Sequence, residues 1–142
     1  MATFELPKKI RLQIVTPEQS LVDEKVDEVY LPGDLGYLGI LPGHTPLLSS
    51  LKIGIITYKI GASAHYLFVS WGFVEVLPDR VTVLADIAEA PGDIDVAKAE
   101  KAREEAEAKL KKLDSEFQAA QIALEQALVR MQVAAKAAPM PR

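Results

Sequence analysis

Along the first ninety residues, apolar and polar positions alternate in short runs. Ile10, Leu12 and Ile14 share one face of the first run and Arg11 and Gln13 the other, the period-two pattern of a half-buried strand, and Thr16 with Pro17 ends it. Extended runs at 20–23 and 26–31 flank the charges Asp23, Glu24 and Lys25, which suit a turn. Residues 53–60 read as a strand that Gly61, Ala62 and Ser63 turn back into 64–70. The runs 73–77 and 80–85 form a second hairpin, with Pro78 and Asp79 suited to the central positions of a type I turn. Short strands at this spacing predict a β-sandwich or barrel.

The pattern changes at Pro91-Gly92. All eight glycines and seven of the nine prolines lie in the first ninety-two residues, and none of either falls between 93 and 138, which marks a domain boundary. Apolar residues now recur at helical spacing, at Ala99, Ala102, Ala106, Leu110 and Leu113, then at Phe117, Ala120, Leu124, Leu128, Met131 and Ala135. Two helices, or one long one, follow. The stripes are rich in alanine, so the helices can approach closely but bury little area. Asp114 and Ser115 can cap a second helix, Ser115 with Gln118 forming a capping box, yet no helix breaker separates the two. A cap is worth about 1 kcal/mol, so residues 112–116 can turn or continue as helix, which makes them a candidate two-state element. Glu105 with Lys109 and Glu107 with Lys111 are favourable four-apart pairs on the exposed faces.

Between the early strands, residues 31–48 (LPGDLGYLGILPGHTPLL) hold Gly33, Gly36, Gly39 and Gly43 with Pro32, Pro42 and Pro46. Such a stretch cannot be helical and reads as consecutive tight turns joining short strands. Tyr37, Leu38, Ile40, Leu41, Leu47 and Leu48 are too apolar for a solvated linker, so the stretch must fold onto a core or a partner.

Composition narrows the function. The chain has 142 residues, 49% of them hydrophobic, enough for one compact core. A net charge of −4 without a basic run argues against nucleic acid as a partner. The absence of cysteine excludes disulfides and thiolate metal sites and fits a reducing compartment. The first fifteen residues lack the pattern of a signal or transit peptide, and no stretch approaches the roughly 20 apolar residues that span a bilayer, so contact with a membrane is expected only through partners.

Catalytic chemistry does not emerge. His44 and His65 are the only histidines and have no clustered ligands or nucleophile beside them; His44 is expected to bond its turn or a neighbouring subunit. Gly33, Gly36 and Gly39 are spaced three apart, unlike a dinucleotide fingerprint, and Pro42 blocks the helix a phosphate loop needs. Trp71, the only tryptophan, reads as a core or inter-sheet residue.

The string GYLGILPGHTPLL resembles the glycine-proline signature of the epsilon subunit of rotary F-type ATP synthases, called delta in mitochondria. The resemblance continues, in order, through TPEQSLV (16–22), WGFVEV (71–76), VTVLAD (81–86) and the helix start at Asp95. It implies an α+β protein: an antiparallel β-sandwich of about ten strands in residues 1–90, then an antiparallel α-helical hairpin in 91–142. It further implies a non-catalytic rotor subunit at the cytoplasmic face of a bacterial inner membrane. The sandwich would dock on the gamma subunit and the membrane c-subunit ring, coupling proton-driven rotation to ATP synthesis, through a contact loop of Tyr37, Leu38, Gly39, Ile40, Pro42, Gly43 and His44. Many bacterial relatives carry glutamate where Tyr37 stands, so an amphipathic contact replaces a charged one here.

The resemblance also assigns a role to the hairpin, which in an extended form would inhibit ATP hydrolysis by placing Arg130 and Lys136 against acidic loops of the catalytic beta and alpha subunits. From Gln126 onward the only charges are Arg130, Lys136 and Arg142; cations favoured by a helix C-terminus explain them equally well. No cofactor is implied beyond a weak regulatory ATP. Some bacterial members hold ATP at an Ile/Leu-Asp-x-x-Arg-Ala segment, matched here by Asp95 but with Lys98 in place of arginine, and a lysine lacks the bidentate fork. On the second helix Arg130 remains, and Gln126 stands where another basic residue is sought. Asp95 as the N-cap of the first helix needs no ligand. An alternative of a different class, an adaptor with a β docking domain and a helical hairpin but no rotary partner, predicts the same two domains.

Overall fold

The structure, a computed structural model, describes residues 5–112 and 115–137. Alternation of apolar and polar residues builds β1 (Ile10–Val15), β2 (Ser20–Val26), β3 (Glu28–Gly33), β4 (Gly36–Ile40), β5 (Leu47–Leu51), β6 (Gly54–Ile60), β7 (Ser63–Leu77) and β8 (Arg80–Glu89). A 3-10 turn at Pro91–Asp93 leads into α1 (Val96–Leu110) and α2 (Phe117–Ala137). One layer of the sandwich runs β2-β1-β8-β7-β5; in the other, β3 lies between β4 and β6, and β6 pairs with β7. Ile10, Leu12 and Ile14 meet Val74, Val76, Val81 and Val83 in the space between the layers, all buried. Each such side chain contributes about 1.5–3 kcal/mol relative to exposure.

Strand β7 belongs to both layers. Its first half pairs with β6 as far as Gly54↔Val69, and its second half pairs with β5 from Leu51↔Gly72 onward. The change of layer falls at Trp71, whose φ is 60°, and Gly72, whose φ is 148°. A Cβ on Gly72 would lie 2.3 Å from the carbonyl oxygen of Leu84, so both the backbone angle and the contact with β8 demand glycine.

The observed strands depart from these expectations in three ways. There are eight among the described residues rather than about ten, and the runs 64–70 and 73–77 are one strand, β7. β4 lies within the glycine-proline stretch and β5 begins in it at Leu47, the short strands between turns that the sequence predicts. The charges at Asp23, Glu24 and Lys25 sit inside β2, not in a turn. Asp23 and Lys25 lie on its solvent side, where Arg11 on β1 donates two hydrogen bonds to Asp23, at 3.0 and 3.1 Å, and holds its carboxyl below the usual range, while Glu24 is exposed on the Val22 and Val26 side opposite Leu12. Finally, β1 pairs in parallel with β8, so the sandwich is not wholly antiparallel.

The turn between β2 and β3 is at Asp27, whose carboxylate accepts from Lys9 and, at 2.6 Å, from the Gly61 amide of the β6–β7 turn. These bonds lower its pKa and tie two chain reversals together.

Asp95 caps α1 as expected, its carboxylate accepting from the Lys98 amide at 3.0 Å. α2 starts at Phe117, which puts Glu116 rather than Ser115 immediately before its first turn. The helices form an antiparallel pair whose buried seam includes Ala99, Ala106, Ala120 and Ala127, with Lys109 meeting Glu116 at 3.8 Å across the connection. Leu113, Asp114 and Arg142 lie outside the described residues.

Replacing Gly72 with alanine is expected to lower the unfolding free energy by about 2 kcal/mol through backbone strain and the clash with β8. Urea denaturation at an unchanged m-value is the measurement that checks it.

Candidate functional site

The bend in β7 sorts its outward side chains into two groups. Before the bend, Phe68 and Ser70 face α2 and are fully buried; after it, Phe73 faces solvent and is 66% exposed. Phe73 pairs directly with Leu84, and Leu48 sits diagonally across from it, opposite Glu75. Leu48, Phe73 and Leu84 therefore make an open apolar patch on the outer face of β5, β7 and β8. Trp71 adjoins it and lines a groove with Ile122, Leu124 and Leu128 of α2.

A second apolar surface lies at one end of the sandwich. Leu35, at the tip of the β3–β4 turn, is fully exposed and Tyr37 is largely so. The Tyr37 hydroxyl is fixed by the Ile55 amide, which donates to it at 3.0 Å. That contact exists because residue 54 has no side chain: a Cβ on Gly54 would lie 2.7 Å from the hydroxyl and 2.6 Å from Pro32 Cβ.

The contact residues expected from sequence divide accordingly. Tyr37 is at the Leu35 end of β4, whereas Pro42, Gly43 and His44 follow its other end, where the Gly43 amide donates to the Pro78 carbonyl at 2.7 Å. His44 Nδ1 lies 2.6 Å from the carbonyl oxygen of Thr45, which it meets as donor within its own turn. Ile40 is buried and presents no surface, while Leu38 is partly buried and packs against the same core. Gly39 is exposed beside the Tyr30 ring.

α2 is held on the sandwich by one face. Val133, fully buried, packs with Phe68, Ile53 and Ile94. One turn away, Arg130 Nε donates to Glu89 Oε1 at 2.6 Å, with the guanidinium 4.5 Å from the centre of the Phe68 ring. Gln126 Nε2 donates at 2.9 Å to the otherwise buried Ser70 hydroxyl. Lys136 Nζ lies 4.7 Å from the centre of the Tyr66 ring. Asp95, Lys98 and Arg130 share one cleft with Glu89 and Asp93.

Sequence reasoning missed several of these residues. Phe73 was detectable, since in WGFVEV it shares the polar face with Glu75. Glu89 and Ser70 carried no local signal, their partners lying 41 and 56 residues away.

A β-sandwich with two exposed apolar surfaces and a helical hairpin clamped on its flank defines a two-module docking fold. Residues 9–91 match the family described as ATP synthase, Delta/Epsilon chain, beta-sandwich domain, and residues 93–135 match its long alpha-helix domain. The chain belongs to this delta/epsilon family of ATP synthase subunits. It is 46% identical over 134 residues to ATP synthase epsilon chain 2 of Syntrophotalea carbinolica, covering 92% of this chain and 97% of the relative. It is 46% identical over 136 residues to the ATP synthase epsilon chain of Geobacter sulfurreducens, covering 94% and 99%. Among solved structures, a chain of the Euglena gracilis mitochondrial ATP synthase assembly (OSCP/F1/c-ring, rotational state 1) superposes with a TM-score of 0.82 at 27% identity, covering 95% of this chain and 86% of that one.

Val133→Ala removes the apolar anchor of α2, at an expected cost on the order of 2 kcal/mol. Hydrogen exchange should show α2 amides losing protection while the β1, β7 and β8 amides keep theirs; equal losses in both would contradict a separately anchored hairpin.

Proposed function

We propose that the protein is a non-catalytic rotor subunit that couples ring rotation to ATP synthesis through the gamma subunit, and that its hairpin brakes ATP hydrolysis. The observation that carries this reading is the pair of exposed apolar surfaces on one rigid sandwich. The broad face around Phe73, Leu84 and Leu48 suits a large protein partner, the gamma subunit. The end carrying Leu35 and Tyr37 suits a smaller contact with the c-subunit ring. Among the described residues no helix is long and apolar enough to cross a membrane, so attachment at the cytoplasmic face of the bacterial membrane runs through these partners.

The brake follows from the same side chains that clamp α2. Arg130 and Lys136 are engaged by Glu89, Phe68 and Tyr66 in the folded hairpin. They reach acidic loops of the catalytic beta and alpha subunits only when α2 leaves the sandwich. The folded hairpin therefore permits turnover and the extended one blocks it, a two-state device in which one set of cations has two alternative partners.

The test is ATP hydrolysis by purified catalytic and gamma subunits with the full chain added. Wild type is expected to suppress hydrolysis, and Arg130→Gln with Lys136→Gln to bind equally but suppress several-fold less. Phe73→Glu should weaken binding to gamma at least tenfold, equivalent to ~1.4 kcal/mol. Full affinity of that variant would remove the sheet face from the interface.

A further inference from the structure

We infer that the open cavity between β2 and the first residues of β7 is a binding site for a small amphiphilic monocarboxylate, held by Lys136 and the Tyr58 hydroxyl at its head and by Leu21, Val22, Leu67 and Pro91 along its apolar body. The cavity exists because two strands end out of step. β7 starts at Ser63, whereas its ladder with β8 begins only at Phe68↔Glu89. Pro91 follows two residues after Glu89 and has no amide hydrogen with which to carry the ladder further. β8 therefore supplies no partner to residues 64–67 of β7. The space left beside them measures about 360 Å³, with Leu21 and Val22 of β2 on one side, Ala90 and Pro91 at the end and Lys136 of α2 contributing a cation.

Tyr58 is the side chain that points to a ligand. It is only 8% exposed and its ring stacks on His65, with centroids 4.9 Å apart. Its hydroxyl has no hydrogen-bond partner among the described residues. Nor is that hydroxyl sealed in, since Arg103 Nε is the one fully enclosed side-chain polar atom without a partner among those residues. The opening beside Tyr58 is the cavity it lines. A buried hydroxyl left unpaired is costly, and a ligand oxygen removes that cost. Burial and the charge of Glu24 raise the pKa of Tyr58, so the phenol keeps its proton and acts as donor.

The second donor is Lys136. Its ammonium lies 4.7 Å from the centre of the Tyr66 ring and is paired with no carboxylate among the described residues. An ammonium has three N–H groups, so contact with one ring face leaves donors to spare. Lys136 is the only lysine or arginine of the lining, and no carboxylate belongs to it, Glu24 included. A single cation balances a single negative charge and leaves a polyphosphate largely uncompensated. The aliphatic walls suit an apolar body. At roughly 30 Å³ per atom, the share of a liquid water, the cavity holds about a dozen non-hydrogen atoms, which matches an eight-carbon carboxylate.

The experiment titrates octanoate into the full chain and follows backbone amide shifts. Saturable shifts are expected at residues 21–22, 58, 64–67 and 136, half-complete below about 1 mM. 3-Phenylpropionate tests an aryl body in place of an alkyl one, and saturation by either carboxylate supports the site. Octylamine, with the same tail and a cationic head, should bind at least about tenfold more weakly. Tyr58→Phe keeps the ring stack and Lys136→Met keeps the reach of the side chain; each should weaken octanoate at least about fivefold. Lys101→Met, a cation outside the cavity, should leave binding unchanged. Thermal unfolding of the ligand-free variants, expected to match wild type, separates a lost site from a lost fold. No saturation by either carboxylate at about 10 mM, octylamine binding as well as octanoate, or undiminished affinity in either cavity variant overturns the inference.

Discussion

The bend at Trp71-Gly72 is the constraint on which the other features depend. A single fifteen-residue strand crosses from one layer to the other there, and the crossing requires a positive φ at two successive residues and a glycine against the β8 backbone. Upstream of it the outward side chains are Phe68 and Ser70, the seat of α2; downstream they are Phe73 and Glu75, open to a partner. Trp71 stands at the boundary, beside Ile122 and Leu128 of α2. Hairpin seat and docking patch are therefore joined through one continuous strand.

The energetics separate the two modules. The sandwich has a continuous core of fully buried valines, leucines and isoleucines. Among the described residues the hairpin is held by alanine seams, buried Val133 with partly buried Val129 and Ala134, one neutral hydrogen bond, one ion pair and two cation–π contacts. Single hydrogen bonds and cation–π contacts contribute on the order of 1 kcal/mol each, and domains as a whole are stable by about 5–15 kcal/mol. Release of α2 thus costs less than unfolding the sandwich, which a regulatory element needs and a purely structural one does not.

Much of the architecture is legible in the sequence because burial imposes period. The alternation in Ile10–Val15 places three residues in the core, and the abrupt loss of glycine and proline after residue 92 marks the helical half. Asp95 could be read as a cap, since a cap is a local contact between residues three apart. The parallel pairing of β1 with β8 could not, for period says nothing about which strand a strand meets. Charges at Asp23 to Lys25 imitate a turn because β2 ends the sheet, where Arg11 lies alongside Asp23 on the solvated face. The glycine-proline stretch advertised a contact loop, yet its alternation sends Ile40 inward and its length sends Tyr37 and His44 to opposite ends of β4. Glu89, the partner that decides what Arg130 does, is visible only when β8 and α2 are brought together.

In the proposed brake, inhibition and the folded hairpin exclude each other, since Arg130 would have to leave Glu89 to meet an acidic loop. The most direct measurement is the distance between spin labels on α2 and on the exposed face of β6, taken inside the assembled catalytic complex while its hydrolysis rate is recorded. The account predicts a short distance in turning-over complexes and a long one in inhibited complexes. A short distance retained in fully inhibited complexes would contradict it.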